Sequence, residues 1–86
     1  SIQDLTPSLA TYLAYTSNRG VLVSDVKTDS QAQKDGFEAG DIVVEIDGEL
    51  IADVISMKNA LAKDKASVKA KIFRKERFQS ITLHLK

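Results

Sequence analysis

Gly36-Phe37-Glu38-Ala39-Gly40-Asp41-Ile42-Val43-Val44-Glu45-Ile46-Asp47-Gly48 carries more of the fold than any other stretch of the chain. Ser30 opens the segment before it as an N-cap, and Gln33 three residues on completes a capping box. A helix of one to two turns therefore ends at Gly36, which supplies the left-handed cap. Phe37 turns inward as a core plug, and Gly40-Asp41 redirects the chain. Ile42 to Ile46 is apolar and β-branched enough for a central strand, which the turn dipeptide Asp47-Gly48 closes.

Toward the N-terminus, Val21-Leu22-Val23-Ser24-Asp25-Val26 reads as a second central strand, set off by Asn18-Arg19-Gly20. Before it, Thr6-Pro7 has the form of an N-cap followed by proline at the first helical position. Leu9, Tyr12 and Leu13 give that short helix its apolar stripe. Ser1 to Leu5 alternates as a strand, with Ile2 on one face and Ser1 and Gln3 on the other. Toward the C-terminus, Asp53 caps the longest amphipathic helix, whose apolar positions are Val54, Met57, Ala60 and Leu61. Val68, Ala70 and Ile72 alternate with Lys69, Lys71 and Phe73, and Ile81, Leu83 and Leu85 alternate with Ser80, Thr82 and His84. A hairpin turn is expected around Lys75-Glu76-Arg77, although it lacks a glycine. Strand, helix, strand, short helix, strand, helix and hairpin make an α+β, mostly-β domain: a small, partly open barrel or sandwich capped by two or three helices.

The 86 residues suffice for one domain, read as residues 1–86, with no linker or repeat to divide it. A hydrophobic share of 43% with 28% charged residues lies far from the composition of disordered chains, so the chain folds. Twelve Lys and Arg offset twelve Asp and Glu, so no overall field draws it to nucleic acid or anionic lipid. The absence of cysteine removes disulfides, thiolate metal sites and cysteine nucleophiles together. No apolar run reaches the ~18 residues of a membrane span. The segment starts on Ser1 without an initiator Met and reads as a piece cut from a longer protein.

Candidates for chemistry are few. A serine nucleophile needs a base, and the one histidine, His84, falls on the polar face of the last strand with Ser80 and Thr82, where solvation explains it. Asp25, Asp29, Asp35, Asp41 and Asp47 lie in separate turns without calcium-loop spacing and read as caps and turn residues. Glu45 and Asp47 share the outward face of a strand, with nothing nearby to perturb them. The glycines lead into a strand, whereas a phosphate cradle leads into a helix. Lys63, Lys65, Lys69, Lys71, Arg74, Lys75 and Arg77, with Phe73 and Phe78 among them, form a solvated basic sheet face rather than a nucleic-acid surface. Tyr12 and Tyr15 are assigned to packing. No catalytic, metal or cofactor residue is expected.

Leu5-Thr6-Pro7-Ser8-Leu9-Ala10, Arg19-Gly20-Val21-Leu22-Val23-Ser24 and Gly36-Phe37-Glu38-Ala39-Gly40-Asp41-Ile42-Val43 with Asp47-Gly48 together resemble the bacterial PDZ domain, in the subtype attached to HtrA/Deg-type serine proteases. The resemblance spans nearly the whole chain and implies the circularly permuted bacterial strand order. It implies a module that adds a partner's C-terminal tail or extended segment as a strand at a sheet edge, opposite a helix. The accepting strand then corresponds to Ser1 to Leu5 and the facing helix to Val54 to Lys63. The peptide-binding residues are Ser1, Ile2, Gln3, Leu5, Val54, Met57, Lys58 and Leu61; the aliphatic ones line or underpin the pocket and Lys58 stands at its rim. An aliphatic lining implies partners with a hydrophobic terminal residue.

The resemblance further implies service to a parent protease, in substrate recognition or regulation, with neighbouring domains or subunits as further partners and a periplasmic or envelope location. The alternative is a scaffold domain of an envelope protein that binds little free peptide. Neither reading gives the domain itself catalysis, nucleic acid or membrane insertion. Two departures stand out. The family's carboxylate-holding Φ-Gly-Φ motif would lie just before Ser1, so the sequence reads as truncated just after that loop. Gln31 and Ala39 also occupy places where relatives carry proline, which implies a slightly less rigid loop and the same fold.

Overall fold

Ile42 and Val44 point to one side of their strand and Val43 and Ile46 to the other, and all four are buried. A strand apolar on both faces needs a cover on each, and that requirement organises the domain. The computed structural model describes residues 1–86. Its elements are β1 (Ile2–Asp4), α1 (Pro7–Tyr12), β2 (Val21–Val23), α2 (Gln31–Asp35), β3 (Ile42–Ile46), β4 (Glu49–Leu50), α3 (Val54–Leu61), β5 (Ser67–Arg74) and β6 (Arg77–His84). The strands form one six-stranded antiparallel sheet in the order β1-β2-β3-β5-β6, with β4 beside β3. This is the mostly-β, partly open architecture with three helices that the sequence implies.

One core cluster gathers Val21, Val23, Phe37, Val43, Ile46, Ile51, Met57, Ala60, Val68, Ala70, Ile72 and Ile81, under α2 and α3. The second, Leu5, Ala10, Leu22, Ile42, Val44 and Phe73, lies on the other face beneath α1. A register shift between Val43 and Glu45 against β5 bulges β3 at Val44 and bends the sheet between the two clusters.

The helix caps form where the sequence places them. Thr6 Oγ1 accepts from Leu9 N at 3.2 Å and Ser30 Oγ from Gln33 N at 3.2 Å, while Gly36 takes φ 106°. Gln33 reaches one residue further back than a regular capping box and accepts from Asp29 N at 2.8 Å. Asp53 and Ser56 complete a reciprocal box on α3.

Three local expectations are corrected. β2 ends at Val23, short of Val26: β3 gives way to the Gly40-Asp41 turn, and beyond Val23 the chain keeps only the bonds of Ser24 and Asp25 to Ser1. Phe73 does not face solvent with the lysines; Tyr15, 4.8 Å away between ring centroids, covers it in the second cluster. Tyr12 is 85% exposed, since α1 is too short to wrap its flank against the sheet. Of the basic residues expected on a solvated sheet face, Lys71 lies 3.4 Å from Glu45 and over the Phe78 ring and Lys65 lies 2.7 Å from Asp47, whereas Arg74 is largely buried.

Asp41 departs furthest from its expected turn role. It is 1% exposed, and Arg74 grips it with two 2.7 Å bonds, Nε to Oδ1 and Nη2 to Oδ2. Glu38 N donates to the same carboxylate at 2.9 Å, and Arg74 Nη2 also donates to Gly36 O at 2.7 Å. The loop from Gly36 to Asp41 is thus clamped onto β5, and its hold on the guanidinium raises the Arg74 pKa.

Candidate functional site

The open edge at β1 follows from which main-chain groups are already bonded. Ser24 N donates to Ser1 O and Leu5 N to Gly20 O, so alternation commits Ser1, Gln3 and Leu5 to β2. The main-chain groups of Ile2 and Asp4 therefore point to the unpaired side, and their side chains share a face. That face meets α3: Asp4 Oδ1 accepts from Val54 N, at the first turn of the helix, at 2.8 Å. A carboxylate at a helix N-terminus is favourably placed, and here it ties the edge strand to the helix.

Beyond Ile2 the slot opens into an apolar cavity of about 230 Å³. Ile2 and Val23 form its sheet wall, Met57 its α3 side, Ala32 and Phe37 its α2 side, and Val26 and Leu83 complete it, with Ser1 at the lip. Ile2 is left 37% exposed. The α2 wall is fixed to β6 by two contacts, His84 N to Asp35 Oδ2 at 2.8 Å and His84 Nδ1 to Asp35 Oδ1 at 2.7 Å. His84 is therefore a solvated strand residue, as expected, that also tethers α2. Hydrogen bonding from the His84 backbone, then from its ring and Gln31, holds the Asp35 carboxyl below its usual range. The Asp53 carboxyl is lowered by the Ser56 N–H it accepts as helix cap.

Of the eight residues named from the sequence, Ser1, Ile2 and Met57 come together at the cavity. Val54 and Leu61 are half-buried against the larger cluster. Lys58 is exposed and shares their helix face by its i, i+4 spacing from Val54. Gln3 turns its main chain to β2 and its side chain away from α3. Leu5 is buried in the second cluster, on the opposite side of the sheet, and only supports β1 from behind. Sequence reading missed Val23, Val26, Ala32, Phe37 and Leu83 as cavity walls and Asp4 as the link across the slot. Only pairing between distant elements reveals them, apart from the alternation that puts Asp4 on the Ile2 face.

No three His, Cys, Asp or Glu side chains stand close enough together to hold a metal ion, and no helix is long and apolar enough to cross a membrane. An open sheet edge, a helix laid beside it and an apolar cavity at one end define a small recognition module with a strand-accepting slot. The chain belongs to the PDZ domain family, whose model matches residues 3–85, and it is a non-catalytic module. It is 35% identical over 86 residues to a probable periplasmic serine endoprotease DegP-like from Marinomonas sp. (strain MWYL1), covering 98% of this chain and 18% of that protein. It is 33% identical over 72 residues to a serine protease HtrA-like from Staphylococcus epidermidis, covering 80% of this chain and 12% of the relative. The chain thus spans less than a fifth of these relatives.

Among solved structures, it superposes with a TM-score of 0.84 on the HtrA3 PDZ domain bound to a phage-derived ligand (FGRWV), at 21% identity, covering 98% of this chain and 78% of that one. The HtrA-type protease AlgW with a decapeptide gives a TM-score of 0.81 at 24% identity, over 98% of this chain and 26% of that one.

Proposed function

We propose that this domain binds peptide tails by strand addition along β1, and that the cavity between Ile2, Met57, Phe37 and Leu83 takes a hydrophobic terminal side chain. The observation that carries this reading is the apolar cavity continuous with an unpaired edge strand. The outward N–H and C=O of Ile2 and Asp4 supply main-chain bonds that do not depend on peptide sequence, so selectivity falls to the cavity. A guest reaching past Ile2 must part the Asp4–Val54 link, so the terminal residues carry most of the binding. One buried aliphatic side chain contributes ~1.5–3 kcal/mol and each ladder bond ~0.5–1.5, less several for association, which leaves an affinity on the order of micromolar.

The names of its relatives support a role as recognition or regulatory domain of an HtrA-like serine protease in the periplasm or envelope. Titration of 15N-labelled protein with a library of short peptides tests the binding. Tails ending in Val, Leu or Phe are expected to shift the amides of Ile2, Val26, Ala32, Met57 and Leu83, and the same tails ending in Asp are not. Silence at those amides at about 1 mM peptide, some thousand-fold above the expected affinity, overturns the proposal.

A further inference from the structure

β6 is the long edge of the sheet, and most of its outer side pairs with nothing in the molecule. Leu85 N bonds to Ala66 O, and the antiparallel alternation then commits Arg77, Gln79, Ile81 and Leu83 to β5. The main-chain groups of Phe78, Ser80, Thr82 and His84 point outward. His84 N–H is taken by Asp35. The outward N–H and C=O groups of Phe78, Ser80 and Thr82 have no partner in the protein.

Edges of this kind are ordinarily blunted by a bulge, a proline or a charge. None of these lies between Phe78 and Leu83, although α2 packs against β6 and closes the edge at His84. The β5–β6 register runs unbroken from Ser67↔His84 to Arg74↔Arg77, and Phe78-Gln79-Ser80-Ile81-Thr82-Leu83 contains neither proline nor charge. Gln79, Ser80 and Thr82 are exposed, and Phe78 is 55% exposed. β1, the other edge, is three residues long and faces α3.

We infer that β6 is a self-association edge, on which a second copy of this chain adds its own β6 antiparallel about a two-fold axis at Ser80. The three free residues are symmetric about Ser80, so this register pairs all of them with one another: Phe78 of each copy faces Thr82 of the other, and Ser80 faces Ser80. Pairings centred elsewhere in phase leave some of them unmatched. The result is one continuous sheet through both copies, closed by on the order of six main-chain bonds. The pairing runs from Phe78 to Thr82, since Asp35 of α2 already occupies the outward side of His84; within that stretch no charged residues face one another, and Arg77 falls opposite Leu83. The formal net charge of zero adds no long-range repulsion between copies. The β1 slot takes only the Leu83 side chain from β6, and the Leu83 main chain faces β5 rather than the outer edge, so the inference does not depend on what that slot binds.

Sedimentation equilibrium of the 86-residue chain tests the pairing. A single strand pair is a small interface, so a weak dimer with a Kd on the order of 100 µM is expected. Ser80→Lys and Ser80→Glu, on an exposed side chain, each place like charges face to face at the axis and are expected to be monomeric. An equimolar mixture of the two regains the dimer, at least about ten-fold tighter than either variant alone. Thr82→Pro deletes an outward N–H without touching the β5 ladder and is expected to give the same loss. Circular dichroism checks that each variant is folded. A wild-type chain that stays monomeric at about 1 mM overturns the inference. Undiminished dimers of Ser80→Lys, or an edge that captures unrelated extended peptides while the chain stays monomeric, do so as well.

Discussion

Asp41 shows what a single residue can conceal. In sequence it follows Gly40 and precedes an apolar strand, so it reads as a turn residue; the guanidinium that makes it a clamp lies on β5, and neither spacing nor periodicity links the two. Removing one partner of a buried pair strands the other, so Asp41→Ala is expected to cost about 3 kcal/mol in urea unfolding. Asp41→Leu combined with Arg74→Met is expected to cost less than the sum of the single changes, because neither charge is then left alone. The second role of His84 is hidden for the same reason, since its partner Asp35 sits on a helix distant in sequence. The caps were readable because their partners are three residues away. Asp35, Asp47 and Asp53 all have folded-state pKa values below their ordinary 3.8, through His84, Lys65 and Ser56 respectively. A lowered carboxyl stabilises the fold fully above its unfolded value and ceases to do so as pH falls through the folded one. The thermal midpoint is therefore expected to be level above about pH 5 and to fall below about pH 4, with a shallower fall in Asp35→Asn. An acid limb equally steep in that variant would remove Asp35 from the account.

At the scale of the element, the helices and long strands were legible because their signals are local, whereas strand ends were not. β2 ends three residues before its composition does: Ser24 and Asp25 keep main-chain bonds to Ser1, but β3 has already turned away on the other side and Val26 continues no ladder. The β5–β6 hairpin was legible in place but not in kind. Arg74 and Arg77 close a two-residue loop in which Lys75 and Glu76 have φ of 49° and 64°, the signs of a type I′ turn, without the Asn-Gly that favours it. The eight-residue ladder on each side holds these residues in a left-handed region that costs each about 1 kcal/mol or more. Lys75→Asn with Glu76→Gly is therefore expected to stabilise the domain by about 1 kcal/mol, measured as a higher urea midpoint at unchanged slope. A lower midpoint would mean that the Lys75 and Glu76 side chains contribute more than the turn strain they impose.

Across the whole molecule, the site was only half legible because it is assembled from five elements, whereas alternation along one strand and one helix names residues from two. Ile2 and Met57 were reachable that way. Ala32 and Leu83 belong to the cavity only because Asp35 and His84 bring α2 to β6, and Leu5 was lost to the groove because the sheet has a second core behind it. This division into two clusters has a measurable consequence. The cavity borders the cluster under α2 and α3, whereas Phe73 lies in the one under α1, stacked with Tyr15 and Phe78. Phe73→Leu loses aromatic contacts and some volume, at a cost of about 1–2 kcal/mol in stability, yet is expected to leave peptide Kd within about two-fold of wild type. Ala32→Phe is expected to do the reverse: the larger side chain on half-exposed α2 fills the cavity with little change in unfolding free energy, and affinity for hydrophobic tails falls by at least about ten-fold. Calorimetric titration alongside urea unfolding separates the two effects. Parallel losses of affinity and stability in both variants would mean that the sheet transmits strain between its faces and that the slot cannot be treated as the property of one core.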